Sequence, residues 1–248
     1  MITDSYIFQQ FQILESDFLD ILDSEPMNPK DAQMGLGKSA KTWANYEKYP
    51  AQCKRHKLLF RKYNVIPRNC WDCYKVEINP NSVLELFKLV FLFRTDAIMR
   101  SNTMKFFLHP DKNIPINYAA LFYFQSLTEA ETTSKHIQEM IKTKINPNIS
   151  IKVKRGCTDF NNFLPGYADV NLNWDSLVED KEKWINIELM FDQRNEAKKI
   201  KPIIYDSYPA NKYFNYKDFK VMLTWLQFAK SIGDQSYLKV TQTSLDFL

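Results

Sequence analysis

Cys70-Trp71-Asp72-Cys73-Tyr74-Lys75-Val76-Glu77-Ile78-Asn79-Pro80-Asn81-Ser82 decides how this chain folds on paper. From Tyr74 onward the residues alternate: Tyr74, Val76 and Ile78 are apolar or aromatic, while Lys75 and Glu77 are charged. A period of two is the signature of a half-buried strand. Asn79 to Ser82 is turn chemistry, and Ser82 suits the N-cap of a helix over 83–93. A C-x-x-C pair stands immediately before the strand.

Downstream, 104–108 reads as a second strand, 109–113 as a turn and 118–125 as a third strand. Thr128 is the expected cap of a helix over 129–142, with Glu131 completing a capping box. Ile149, Ile151 and Val153 alternate with Ser150, Lys152 and Lys154, which predicts a fourth strand. The order β-α-β-β-α-β is the split arrangement of ferredoxin-like folds, and short right-handed crossovers satisfy it. In that topology the fourth strand lies antiparallel beside the first. Cys157, two residues past Arg155, is then expected beside Cys70 and Cys73.

The expected class is α+β: a ferredoxin-like domain over 70–157, a helical N-terminal segment with a basic loop over 1–69, and a mixed C-terminal extension over 158–248. The apolar residues Ile7, Phe8, Phe11, Leu14, Phe18, Ile21 and Leu22 have helical spacing. A polar stretch follows to about residue 41, and 43–62 reads as helical or irregular. Over 184–191 the pattern fits a strand or a short helix. An amphipathic helix is expected over 216–232, closed by Gly233.

All four cysteines enter a metal reading, since thiolates hold zinc tetrahedrally and a C-x-x-C supplies two ligands from one turn. Two sets compete. One is Cys53, Cys70, Cys73 and Cys157. The other joins Cys53 and His56, a C-x-x-H, to Cys70 and Cys73. An iron–sulfur cluster accepts four cysteines as well. The alternative without metal has Cys70 and Cys73 as small apolar residues opening a buried strand. A thioredoxin-like role fits poorly, because that motif follows a strand rather than preceding one.

The net charge of +4 is mild, but its distribution is not even. Lys54, Arg55, Lys57, Arg61, Lys62 and Arg68 form one basic cluster. Lys152, Lys154 and Arg155 form a second, and Arg194, Lys198, Lys199 and Lys201 a third. Residues 1–25 are acidic by contrast. Basic clusters mark either a solvated face or an anionic partner such as nucleic acid.

The stretch from Asn117 through Leu121-Phe122-Tyr123-Phe124 to Glu129-Ala130 resembles the third strand and following helix start of RNA-recognition-motif domains. That resemblance implies bases stacked on Tyr74 and Tyr123, with Tyr118 a further candidate, and phosphates held by Lys152 and Lys154. The glycine and basic residue that usually open that strand are absent here, as is the first-strand signature.

Other motifs carry less. Residues 32–39 end in Gly37-Lys38-Ser39, like a phosphate loop, but no buried strand precedes them. His109 lies in a turn and His136 on a polar helix. Asp159, Asp169, Glu188 and Asp192 are scattered, although Glu188 and Asp192 share a face if helical. No serine sits in a nucleophile elbow, so no catalytic signature stands out. The N-terminus lacks a basic and then apolar leader, and the longest apolar run, interrupted by Glu85 and Lys88, is too short to span a bilayer. A cytoplasmic protein without a membrane partner is expected. The leading expectation is a non-enzymatic module that binds nucleic acid or a nucleotide-bearing ligand. The alternatives are an assembly subunit that binds protein partners or itself, and an enzyme with a pocket between the sheet and the C-terminal extension.

Overall fold

In a computed structural model, residues 1–24, 40–44, 53–109, 115–194 and 213–241 are described. They form an α+β fold on a five-stranded open sheet: β1 (Lys41–Ala44), β2 (Tyr74–Asn79), β3 (Met104–Leu108), β4 (Tyr118–Phe124) and β5 (Ser150–Arg155). The strand order is β1-β3-β4-β2-β5, and every neighbouring pair is antiparallel. β2 lies between β4 and β5, with Tyr74 opposite Phe124 on one side and Arg155 on the other.

The helices are α1 (Asp4–Ser24), α2 (Cys53–Tyr63), α3 (Val83–Thr95), α4 (Leu127–Lys144), α5 (Trp174–Leu177), α6 (Lys181–Gln193), α7 (Tyr216–Ile232) and α8 (Leu238–Thr241). Ser82 caps α3 by accepting from the Glu85 amide. α3 is apolar around most of its circumference and is correspondingly buried on most sides. Phe93 meets Phe122 of the sheet at 4.9 Å between ring centres. On its other sides Phe87 meets Phe11 of α1 at 5.7 Å and Trp225 of α7 at 5.9 Å. α1 and α7 therefore form a further layer outside α3, and Phe219 closes it against Phe11 and Phe18. Gly233 ends α7 at φ 80°, a left-handed position that suits glycine.

Two local expectations are corrected. The cap of α4 is Ser126, which accepts from the Glu129 amide at 3.2 Å; Thr128 lies inside the helix. Ser126-x-x-Glu129 has the same spacing as Thr128-x-x-Glu131, two residues earlier, so the pattern alone does not choose. The reading of 43–62 as helical or irregular missed β1, an edge strand of 4 residues that is too short to display a period. For residues 184–191, read as a strand or a short helix, the helix is found: they belong to α6. The phosphate-loop-like stretch 32–39 and Lys198, Lys199 and Lys201 lie outside the described residues.

The sheet has two unlike faces. Val76, Ile78, Met104, Phe106, Leu108, Ala120 and Phe122 point into the main core. Phe107, Ala119 and Leu121 form a separate apolar strip on the opposite face, with Tyr123 packed against it. A second small core gathers Ile66, Cys70, Trp71, Phe160, Tyr167, Trp174 and Val178. Among the described residues no helix is long and apolar enough to cross a membrane.

Candidate functional site

The cysteines converge where β2 starts and β5 ends. Pro67 opens a tight turn over Arg68–Cys70, and this turn delivers Cys70 into the small core, 2 % exposed. Cys73 follows just before β2 and is also buried. The β2–β5 ladder runs one residue beyond the Tyr74–Arg155 pair, since the Gly156 amide donates to the Cys73 carbonyl at 2.8 Å. Cys157 is next in the chain. A side chain at Gly156 would place its Cβ 2.3 Å from Cys73 Sγ, so the close approach of the two segments requires glycine there.

From the opposite side, α2 carries Cys53 and His56 one helical turn apart and hence on one face. His56 Nδ1 lies 3.4 Å from Cys70 Sγ. The sulfurs of Cys70 and Cys157 interact, which drives the Cys70 pKa up and the Cys157 pKa down. Burial pushes the Cys53 thiol up to about 11, and the nearby Cys157 adds to this. Burial, and then the Arg55 cation, push His56 down to about 4, so its imidazole is neutral at neutral pH. The structure thus brings the members of both predicted sets into one neighbourhood. Among the described residues, no group of three or more His, Cys, Asp or Glu side chains is closed around one point as a metal shell would be.

Three residues expected at a nucleic-acid surface serve inside the protein instead. Arg155 is 1 % exposed and donates to the carbonyls of Trp71, Tyr167, Asp169 and Leu172. Its guanidinium also stacks on the rings of Trp71, Tyr74 and Tyr167. Tyr74 points to the core side of the sheet, whereas Tyr123 is on the other face. A strand pattern with aromatic and long charged residues on alternate positions does not say which set faces the core. Arg55 is buried and grips Asp192 at 2.6 Å and Glu188 at 2.8 Å, tying α2 to α6. Those two carboxylates do share a face of α6, and with His56 and Arg68 they line a cleft of ≈ 580 Å³. Lys54, Lys57, Arg61 and Lys62 remain exposed on α2, as does Lys152 on β5, while Lys154 is half-buried and pairs with Glu77 at 2.5 Å.

The sheet face around Tyr123 holds a feature that the sequence reading missed. Lys41 is paired in register with Phe107, Lys105 with Leu121, and Lys75 with both Tyr123 and Lys154, so all lie on one face. Lys57 reaches the same region from α2. Burial, followed by repulsion from Lys41, Lys75 and Lys57, pushes the Lys105 ammonium down to about 7. Burial and Lys57 lower Lys41 in the same way, and burial with Lys105 lowers His109. Lys105 Nζ stands 3.7 Å from the centre of the Phe107 ring. Lys57 and Lys75 also act on Cys157, so the basic face and the thiol cluster adjoin. The signal that could have found the face is Lys105-Phe106-Phe107, a strand whose outward positions are a lysine and an aromatic.

No family model matches the chain, and no solved structure matches it. The chain is similar in part to uracil-DNA glycosylases of three strains of Clostridium perfringens, at 36% identity over 59 residues. That segment covers 23% of this chain and 26% of the relative's length.

Proposed function

We propose that the protein is a binding module that takes a phosphate-bearing ligand, a single nucleic-acid strand, across the lysine-lined face of its sheet. The observation that carries this reading is the strand register that sets Lys41, Lys75 and Lys105 on one face of the sheet, with Lys57 acting on Lys41 and Lys105 from α2. Gathering ammonium groups on a partly desolvated surface is unfavourable in the protein alone, and an anion laid across them relieves it. Tyr123, part-exposed on the same face, offers aromatic surface for a base, while Phe107 is buried beneath Lys105. The partial similarity to proteins named for uracil-DNA supports a DNA ligand to the extent of that one segment. We also read residues 70–157 as ferredoxin-like. Support comes from the order β3-β4-β2-β5, in which β2-α3-β3 and β4-α4-β5 interleave as two β-α-β units. A reducing compartment such as the cytoplasm suits its cysteines.

The test is fluorescence anisotropy with labelled single-stranded DNA and RNA oligonucleotides at rising salt. The expected log affinity falls linearly with log salt, with a slope of about −0.7 for each phosphate neutralised. Lys75→Glu and Lys152→Glu should each weaken binding several-fold and flatten that slope. Lys135→Glu, on the exposed side of α4, should leave both unchanged. Absence of binding at low salt, or equal loss in all three variants, rejects the reading.

A second reading, a subunit that binds protein partners or itself, draws on α6, which leaves Ile185, Leu189 and Met190 exposed. It requires an oligomer by light scattering, abolished by Leu189→Glu. A monomer at all concentrations removes self-association.

A further inference from the structure

We propose that Cys70, Cys73, Cys157 and His56 form a zinc site that clasps α2, the start of β2 and the end of β5, with Cys53 outside the metal shell. The proposal is independent of nucleic-acid binding. It also differs from both sets read from the sequence, each of which needs Cys53.

Contacts select the four donors. His56 Nδ1 is 3.4 Å from Cys70 Sγ. Cys157 follows Gly156, whose amide is bonded to the Cys73 carbonyl, and its sulfur interacts with that of Cys70. Cys73 Sγ lies in the space that a Cβ on Gly156, the neighbour of Cys157, would occupy. Cys53, at the first turn of α2, is part-buried as Cys157 is, but its sulfur acts on Cys157 and Cys70 through charge alone, without the closer interaction that joins those two. Three cysteines and one histidine are an established structural zinc set, in which a C-x-x-C turn supplies two ligands and distant segments supply the others.

The scaffold around these donors is rigid and independently fixed. The Gly156 amide is bonded to the Cys73 carbonyl, the Tyr167 hydroxyl donates to the Cys70 carbonyl at 2.8 Å, and Arg155 binds the Trp71 carbonyl. The segments that carry the three cysteines are therefore held by their backbones, and α2, which carries His56, is tied down by Arg55 through Glu188 and Asp192. Around them lie Trp71, Phe160 and Tyr167, an apolar wall that excludes water from the ligands. The Trp71 indole N–H is buried in this core with no hydrogen-bond partner among the described residues. A sulfur carrying negative charge is an acceptor of the kind it lacks. Zinc with three thiolates and a neutral imidazole carries one excess negative charge, and Lys57 and Lys75 stand beside Cys157 to balance it. Binding releases one proton from each of the three thiols to solvent, and a zinc–sulfur bond replaces each sulfur–hydrogen bond.

The test begins with elemental analysis of the native, full-length protein purified under reducing conditions, and of the metal-stripped protein after zinc is added back. One zinc per chain is expected, retained in Cys53→Ser and lost in Cys157→Ser and His56→Ala. Circular dichroism reports whether each variant is folded. Because loss of a ligand can unfold the chain, X-ray absorption at the zinc edge of the unmutated protein supplies a second readout. It should show three sulfurs at about 2.3 Å and one nitrogen at about 2.0 Å. A shell of four sulfurs, zinc lost on Cys53→Ser, iron with acid-labile sulfide, or no tight zinc after reconstitution overturns the proposal. None of these outcomes bears on oligonucleotide binding to the sheet face.

Discussion

Lys105 illustrates how much one half-buried cation shapes this protein. Its ammonium is pushed down to about 7, first by burial and then by Lys41, Lys75 and Lys57, from the ordinary 10.5 that it regains on unfolding. Between pH 7 and 10.5 the unfolded chain therefore holds more protons than the folded one, so stability rises with pH over that window. Below pH 7 the folded protein carries the whole burden of the charged form. Urea midpoints measured across this window should climb for the unmutated protein, and Lys105→Met should remove that part of the climb while raising stability at neutral pH. Identical pH profiles would show that Lys105 titrates normally. The sequence makes Lys105 visible as an outward strand residue. It cannot show that Lys41, from a distant edge strand, comes alongside. Tyr74 failed for a related reason: its alternation is legible, but the side of the sheet that meets α3 is decided only by tertiary packing.

At the scale of elements, caps carry the clearest information. Ser82 was legible as the cap of α3 because Pro80 and Asn81 clear the way before it. Ser126 and Thr128 offered two equivalent starts for α4, and the structure uses the earlier. Ser126→Ala should cost about 1 kcal/mol of stability, the usual worth of an N-cap, whereas Thr128→Ala should change it by no more than a few tenths. Chemical denaturation of the two variants distinguishes them, and equal effects would place the helix start wrongly. α6 was ambiguous over 184–191 because its apolar residues are spread over more than one face, and Ile185, Leu189 and Met190 remain exposed. α3 was legible as a helix but not as the central layer, since an apolar run shows burial without naming what covers it.

For the whole molecule, α1 and α7 meet over α3. Phe219 of α7 is fully buried and touches Phe11 and Phe18 of α1, each at 5.6 Å between ring centres. Phe219→Ala should destabilise the protein by about 3–5 kcal/mol and loosen α1 and α7 together. Hydrogen exchange resolved by segment checks this: protection should fall in both helices, and loss confined to α7 would separate them. The strand-helix alternation of 74–155 was legible from short-range pattern and turn chemistry. The N- and C-terminal packing was not, because nothing local in either helix names its partner. The meeting of the cysteines was legible only by way of topology. The pairing of β2 with β5 joins Tyr74 to Arg155 across 81 residues of chain. Closing so long a loop is slow compared with forming a local turn or helix. On the ribosome, Cys70 and Cys73 thus emerge well before Cys157 has been synthesised. The last sulfur joins its companions only when the sheet edge zips shut, so their shared burial marks the completion of this region.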